Sequence, residues 1–165
     1  MCIRDRGITI NVGLIAGGQS VNTVAAEASC GIDIRYRDSD DRADIFEKVR
    51  KICTTTSVDG TSSDMVIKGE FHPLNPSPQS VELFDLYVKT AAHNGFVVTG
   101  EHSGGCADSG FIANADTPVI CGVGPIGGNY HRPDEWMQID SLSVRAKFIA
   151  ETILKLATTP TKTGL

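Results

Sequence analysis

The chain has 165 residues, 41% of them hydrophobic, and a formal net charge of -5. That is enough to bury the core of one or two small domains, and it gives no electrostatic reason to expect nucleic acid or an anionic membrane surface as a partner. No apolar run reaches transmembrane length and no secretory h-region stands at the start, while the five cysteines are odd in number and lack CxxC spacing, which predicts reduced thiols and a cytoplasmic protein.

Residues 1–6 read as the translated end of a sequencing adapter, so they are expected to be non-native and Gly7 to be a cut inside a longer protein. Ile8, Ile10, Val12 and Leu14 then alternate with polar or small residues, which predicts a half-buried strand. Gly17 and Gly18 turn the chain. The alternation resumes with Ala26, Ala28, Cys30, Ile32, Ile34 and Tyr36 on one face and Asp33, Arg35 and Arg37 on the other, so the two runs should pair as an antiparallel hairpin. Asp38, Asp40 and Asp41 supply cap candidates and negative charge for a helix carrying Ile45, Val49, Ile52 and Cys53, which the threonine run from Thr54 should end. A further strand is expected over residues 65–68. The order β-β-α-β matches a ferredoxin-like arrangement that lacks its first strand and helix.

Residues 71–78 hold three prolines and read as a linker. Ser77 and Pro78 start a helix by cap and first-position logic, with Val81, Phe84, Val88 and Ala91 on its apolar stripe and Gly95 past its end. A short strand over 96–99, a loop over 103–108, a short helix over 109–115 and a buried strand over 118–123 follow. From Asp140 a last helix presents Leu142, Ala146, Ile149, Ile153 and Leu156 to a sheet.

Several residues along this path could carry chemistry. Gly122, Gly124 and Gly127 spell a dinucleotide fingerprint, but Pro125, Gly128 and Pro133 postpone any helix until about Asp140, so no helix N-terminus faces a pyrophosphate and that reading is rejected. On spacing alone, His131 at the end of this flexible approach is a surface histidine of a glycine-rich turn; its functional reading is a metal ligand or proton shuttle. Arg35 is either one member of a solvated polar face or a guanidinium fork for a carboxylate. Cys106 is either a small structural residue or a nucleophile with His131 as its base. Asp108 either caps the short helix after it or orients His131.

Four segments in this order resemble the zinc aminoacylase/carboxypeptidase family of metallopeptidases, which includes acetylornithine deacetylases, succinyl-diaminopimelate desuccinylases and glutamate carboxypeptidases. Residues 15–22 ending in Asn22, with Asp33 and Arg35, look like its lid hairpin. Residues 103–108 look like its glycine-rich loop, with Ala107 in place of the usual Ser or Thr before Asp108. Residues 118–131 are similar to its last metal-ligand segment, with Glu135 just beyond. His72 before Pro73 departs from the arginine of glutamate-specific relatives.

The resemblance implies an α/β protein: a truncated α+β lid and dimerisation domain over 7–74, the closing part of a zinc-peptidase catalytic domain over 75–157, and a tail over 158–165. It implies two zinc ions, with cobalt or manganese as substitutes, and a metal-activated water that cleaves the amide bond of an N-acyl amino acid or peptide. His131 would be a metal ligand, with Asp108 and Glu135 close behind the ligand shell. Arg35, Asn22, Gly104 and Gly105 would contact substrate, and the lid would form a homodimer. The general-base glutamate would lie before Gly7, so the chain alone is expected to be inactive; the alternative from another class is a non-catalytic carboxylate-binding or dimerisation module.

Overall fold

The computed structural model describes residues 7–158 and the backbone of residues 2–3. The remaining positions of the expected adapter segment, and the tail beyond Thr158, lie outside the described residues. The chain divides into two compact units: one runs to Asn75 and includes Gly104–Phe111, and the other comprises Pro76–Ser103 and the chain from Ile112. The architecture is mixed α/β, as expected, with small antiparallel sheets and helices.

In the first unit, strands β1 (Cys2–Ile3), β2 (Thr9–Gly17) and β3 (Ala28–Arg35) form an antiparallel sheet in that order. The expected hairpin is β2 with β3, but its register shifts between Val12 and Leu14. Val12 faces Ile32, whereas Leu14 faces Gly31 and Ile15 faces Cys30, so Gly13 is the extra residue of a bulge. Leu14 therefore leaves the apolar face assigned to it by simple alternation, and Ile15 takes its place. Strand pairing also begins at Cys2, inside the segment set aside as non-native.

Helix α1 (Asp41–Thr54) begins and ends where the aspartate cluster and the threonine run predict. Asp38 accepts the amide of Asp40 through its carboxylate at 3.0 Å, and Asp41 and Asp44 place negative charge in the first turn. Ile45 is buried on its apolar stripe, but Ile52 is 72% exposed. The strand expected over 65–68 pairs with no other strand among the described residues. Glu70 ties this stretch to the sheet and to α1: Arg42 donates from Nε and Nη2 to its two carboxylate oxygens, and the Tyr36 hydroxyl donates to Oε1 at 3.0 Å.

In the second unit, α2 (Pro78–His93) shows its local signals in full. Ser77 accepts the Ser80 amide at 3.1 Å through its side chain, and Pro78 takes the first position, where no amide is needed. At the other end Gly95 has φ 80°, and Phe96 and Gly95 donate to the carbonyls of Ala91 and Ala92. This is a Schellman closure, which a residue in the left-handed region completes and glycine adopts without strain. The short helix α3 (Ser109–Asn114) follows, in the first unit as far as Phe111, and α4 (Ile139–Thr158) closes the described chain.

The core of the second unit corrects two expected stripes. On α2 the buried residues are Ser80, Tyr87, Thr90 and Ala91, while Val81 is exposed. On α4 they are Ser141, Phe148 and Thr152, while Leu142, Ile153 and Leu156 are exposed. The sheet meant to receive the α4 stripe is absent among the described residues, because 96–99 and 118–123 pair with no strand, and α4 packs on α2 instead. Tyr87 and Phe148 meet edge-on at 6.3 Å between ring centroids, with Phe96 against Phe148 at 5.3 Å and Val98, Ile120 and Val123 packed around them. The Val119 amide reaches Ser80 Oγ at 3.1 Å, which docks this extended chain without a sheet partner.

Candidate functional site

The candidate residues fall into two groups, one in each unit. In the first, Arg35 ends β3. Its Nε donates to Asp33 Oδ2 at 2.8 Å, and its Nη1 donates to the carbonyl of Gly104 at 2.9 Å. Asp33, by hydrogen bond and then by charge, raises the Arg35 pKa, so the guanidinium is a fixed cation. A Cβ at position 104 would meet nothing within 4 Å, so the backbone there is open to an incoming group. Gly105 and Cys106 continue the exposed loop, the Cys106 thiol being free and within electrostatic reach of Arg35. Asp108 is exposed and contributes its main-chain carbonyl, which accepts the Phe111 amide at 3.0 Å in α3.

Asn22 lies elsewhere on the same hairpin. It sits in the turn between β2 and β3, exposed, with Oδ1 accepting from Ser20 Oγ at 2.9 Å. Arg35 is the last of the eight residues of β3 and this turn precedes the first, which separates them by more than about 20 Å along an extended strand. Within one copy of the chain, Asn22 and Arg35 cannot hold the same small group. Arg35 with Gly104 is the pair that the fold brings together.

The second group is the loop around His131. It is closed by a two-stranded ribbon, β4 (Gly127–Gly128) with β5 (Trp136–Met137), where the sequence pattern predicts only a glycine-rich turn. At its base the Ile126 amide donates to the buried Ser141 Oγ at 2.8 Å, anchoring the loop to the start of α4. Within it the Asn129 side-chain amide donates to Asp134 Oδ2 at 2.9 Å, and Arg132 Nε to Asp134 Oδ1 at 3.0 Å. The His131 amide donates to Glu135 Oε2 at 3.2 Å. His131 itself has φ 63°, a left-handed backbone that costs about 1 kcal/mol or more for a residue with a Cβ. Glu135 thus supports His131 through its backbone, and the imidazole is exposed.

Sequence reasoning missed Trp136, whose indole lies against Gly128, with Nε1 2.9 Å from where a Cβ there would stand. The signal available was its being the single tryptophan of the chain, directly after the loop.

Whether these residues fit a metal centre can be tested on the donor set. Among the described residues no three His, Cys, Asp or Glu side chains converge. His131 could give one nitrogen ligand, but the described residues do not by themselves make a dinuclear site, which needs several protein donors to each ion. Among the described residues no helix is long and apolar enough to cross a membrane.

Comparison with known proteins bears on both groups. Residues 3–61 match the family model of the peptidase dimerisation domain of M20 peptidases. Among solved structures, the chain is similar to the YXEP protein of Bacillus subtilis, described as a dinuclear metal-binding peptidase of the M20 family. The TM-score is 0.68 at 18% identity, over 93% of this chain and 43% of that one. The chain therefore shares the fold of part of that structure and spans less than half of its length. No curated protein matches it.

Proposed function

We propose that the chain is the C-terminal part of a metal-dependent hydrolase that cleaves the amide bond of N-acyl amino acids or C-terminal peptide bonds. The observation that supports this is the fold likeness to a dinuclear metal-binding peptidase, which covers 93% of this chain. In this reading residues 1–6 are foreign, 7–74 form the lid and 75–157 close the catalytic domain. His131 supplies one ligand to a pair of zinc ions, for which cobalt or manganese could substitute. The bound metals would activate the attacking water. Arg35 receives the substrate carboxylate, the amides of Gly104 and Gly105 approach the substrate, and Asp108 and Glu135 support the site from behind. Asn22 acts at the hairpin turn, away from Arg35. The matched dimerisation domain supports a homodimer through the lid, and free thiols among the described residues accord with a cytoplasmic protein.

A second reading follows from the donor set. Since no three metal-binding side chains converge among the described residues, the chain as it stands would serve as a carboxylate-binding or dimerisation module without catalysis.

One experiment separates the two. The protein extended by its upstream coding sequence is assayed for metal content and for hydrolysis of N-acetyl amino acids and dipeptides, beside its His131→Ala variant. Two ions per subunit, turnover lost on chelation, and loss of both in the variant are expected. Full metal content and turnover in His131→Ala would exclude the assigned ligand, and a metal-free extended protein would favour the binding module.

A further inference from the structure

We infer that Arg35 and the Gly110–Phe111 step are positioning elements that hold the glycine-rich loop onto the hairpin unit at both of its ends. The upstream hold is the Arg35 fork. Asp33 fixes Nε at 2.8 Å and so aims the guanidinium, whose Nη1 takes the Gly104 carbonyl at 2.9 Å. Hydrogen bonds from an ionised donor are roughly twice as strong as neutral ones, and a planar fork loses little freedom in making them.

The downstream hold is steric. Gly110 is buried, and a Cβ added to it would run into the main-chain carbonyl of His72, which has no flexible side chain to give way. Only glycine lets these two backbones approach so closely. Beside it the Phe111 ring packs on Phe71 at 5.5 Å and meets His72 edge-on at 5.3 Å. The segment that receives them is itself clamped through Glu70 by Arg42 and Tyr36. A loop with two consecutive glycines would otherwise sample a wide range of backbone states. Held at both ends, its open backbone at Gly104 is presented in one conformation.

This gives Arg35 a second task. A carboxylate engages a guanidinium bidentately either at Nε with Nη2 or at Nη1 with Nη2. Asp33 occupies a donor of the first pair and Gly104 a donor of the second. A bidentate carboxylate therefore shares a nitrogen with Asp33 or with Gly104, and one that draws Nη1 away from the carbonyl frees the loop. That consequence rests on the proposed substrate role of Arg35; the two-ended hold does not.

The test reads loop order and needs neither metal nor substrate, so failure of the hydrolase reading leaves its outcome unchanged. Backbone 15N relaxation is measured on the chain and on its Arg35→Gln, Arg35→Lys and Phe111→Ala variants. In the wild type, Gly104 and Gly105 are expected near an order parameter of about 0.85, falling below about 0.6 in Arg35→Gln. The helices α2 and α4 should be unchanged, and Arg35→Lys, which keeps one charged donor, should recover part of the order. Phe111→Ala should loosen residues 107–111. Equal order parameters at Gly104 and Gly105 in wild type and Arg35→Gln would overturn the upstream hold, and an unaltered 107–111 in Phe111→Ala would overturn the downstream one.

Discussion

Leu14 lies over Gly31 across the hairpin, its Cβ 3.2 Å from the point where a Cβ at position 31 would stand. The extra residue Gly13 puts it there and turns Ile15 to the opposite face, where Ile15 joins Val12, Cys30 and Ile32. Ile15 is 81% and Val12 51% exposed, so in the proposed homodimer this face is the apolar surface expected to meet the second copy. Burying one such side chain is worth about 1.5–3 kcal/mol, which is roughly tenfold or more in a dissociation constant. Ile15→Lys is therefore expected to weaken self-association by at least about tenfold in sedimentation equilibrium, while Leu14→Lys leaves it near the wild-type value. Equal effects of the two variants would place the interface elsewhere.

The clamp on Glu70 makes stability depend on pH. Hydrogen bonds from Arg42 lower its pKa, against the opposing effect of burial, with Tyr36 and the charges of Arg42 and His72 adding to the lowering. A carboxyl whose native pKa is depressed contributes stability that is fully present above the unfolded value and is lost as pH falls through the native one. Stability should accordingly decline between the ordinary glutamate range and the lower native value. Glu70→Gln should flatten that part of the profile, as followed by urea denaturation across acidic pH. An unchanged acid slope in the variant would show that Glu70 is not its source.

Phe148 is 1% exposed and contacts the rings of both Tyr87 and Phe96. Phe148→Ala removes those contacts and leaves a cavity, which typically costs about 3–5 kcal/mol. Leu142→Ala, on the same helix at 49% exposure, should cost less than about 1 kcal/mol. Chemical denaturation of the two variants should show this gap, and a similar loss for both would mean that α4 buries the face read from its sequence pattern.

The ends of α2 give a smaller and purely local effect. Ser77→Ala leaves the Ser80 amide without its cap and should cost about 1 kcal/mol. Gly95→Ala forces a side chain into φ 80° and should cost about 1–2 kcal/mol. The two should add in thermal denaturation, because they sit at opposite ends of one helix.

What the sequence determined by itself is what depends on near neighbours along the chain. Ser77, Pro78 and Gly95 mark the bounds of α2 because capping and left-handed closure involve only residues within a turn of one another. Alternation in residues 8–36 marks the hairpin for the same reason. The tertiary structure decided what depends on partners. A helix carrying apolar residues around much of its circumference does not say which of them its neighbour will cover, so Tyr87 and Phe148 became core while Val81 and Leu142 did not. No local pattern announces that Gly13 is the residue a strand will leave unpaired, nor that a guanidinium at 35 will take a carbonyl at 104, because Arg35 and Gly104 stand 69 positions apart and the chain between them carries no record of their meeting. Hydrogen-bond geometry along the chain is written in the chain, whereas contacts across it exist only once the whole has folded.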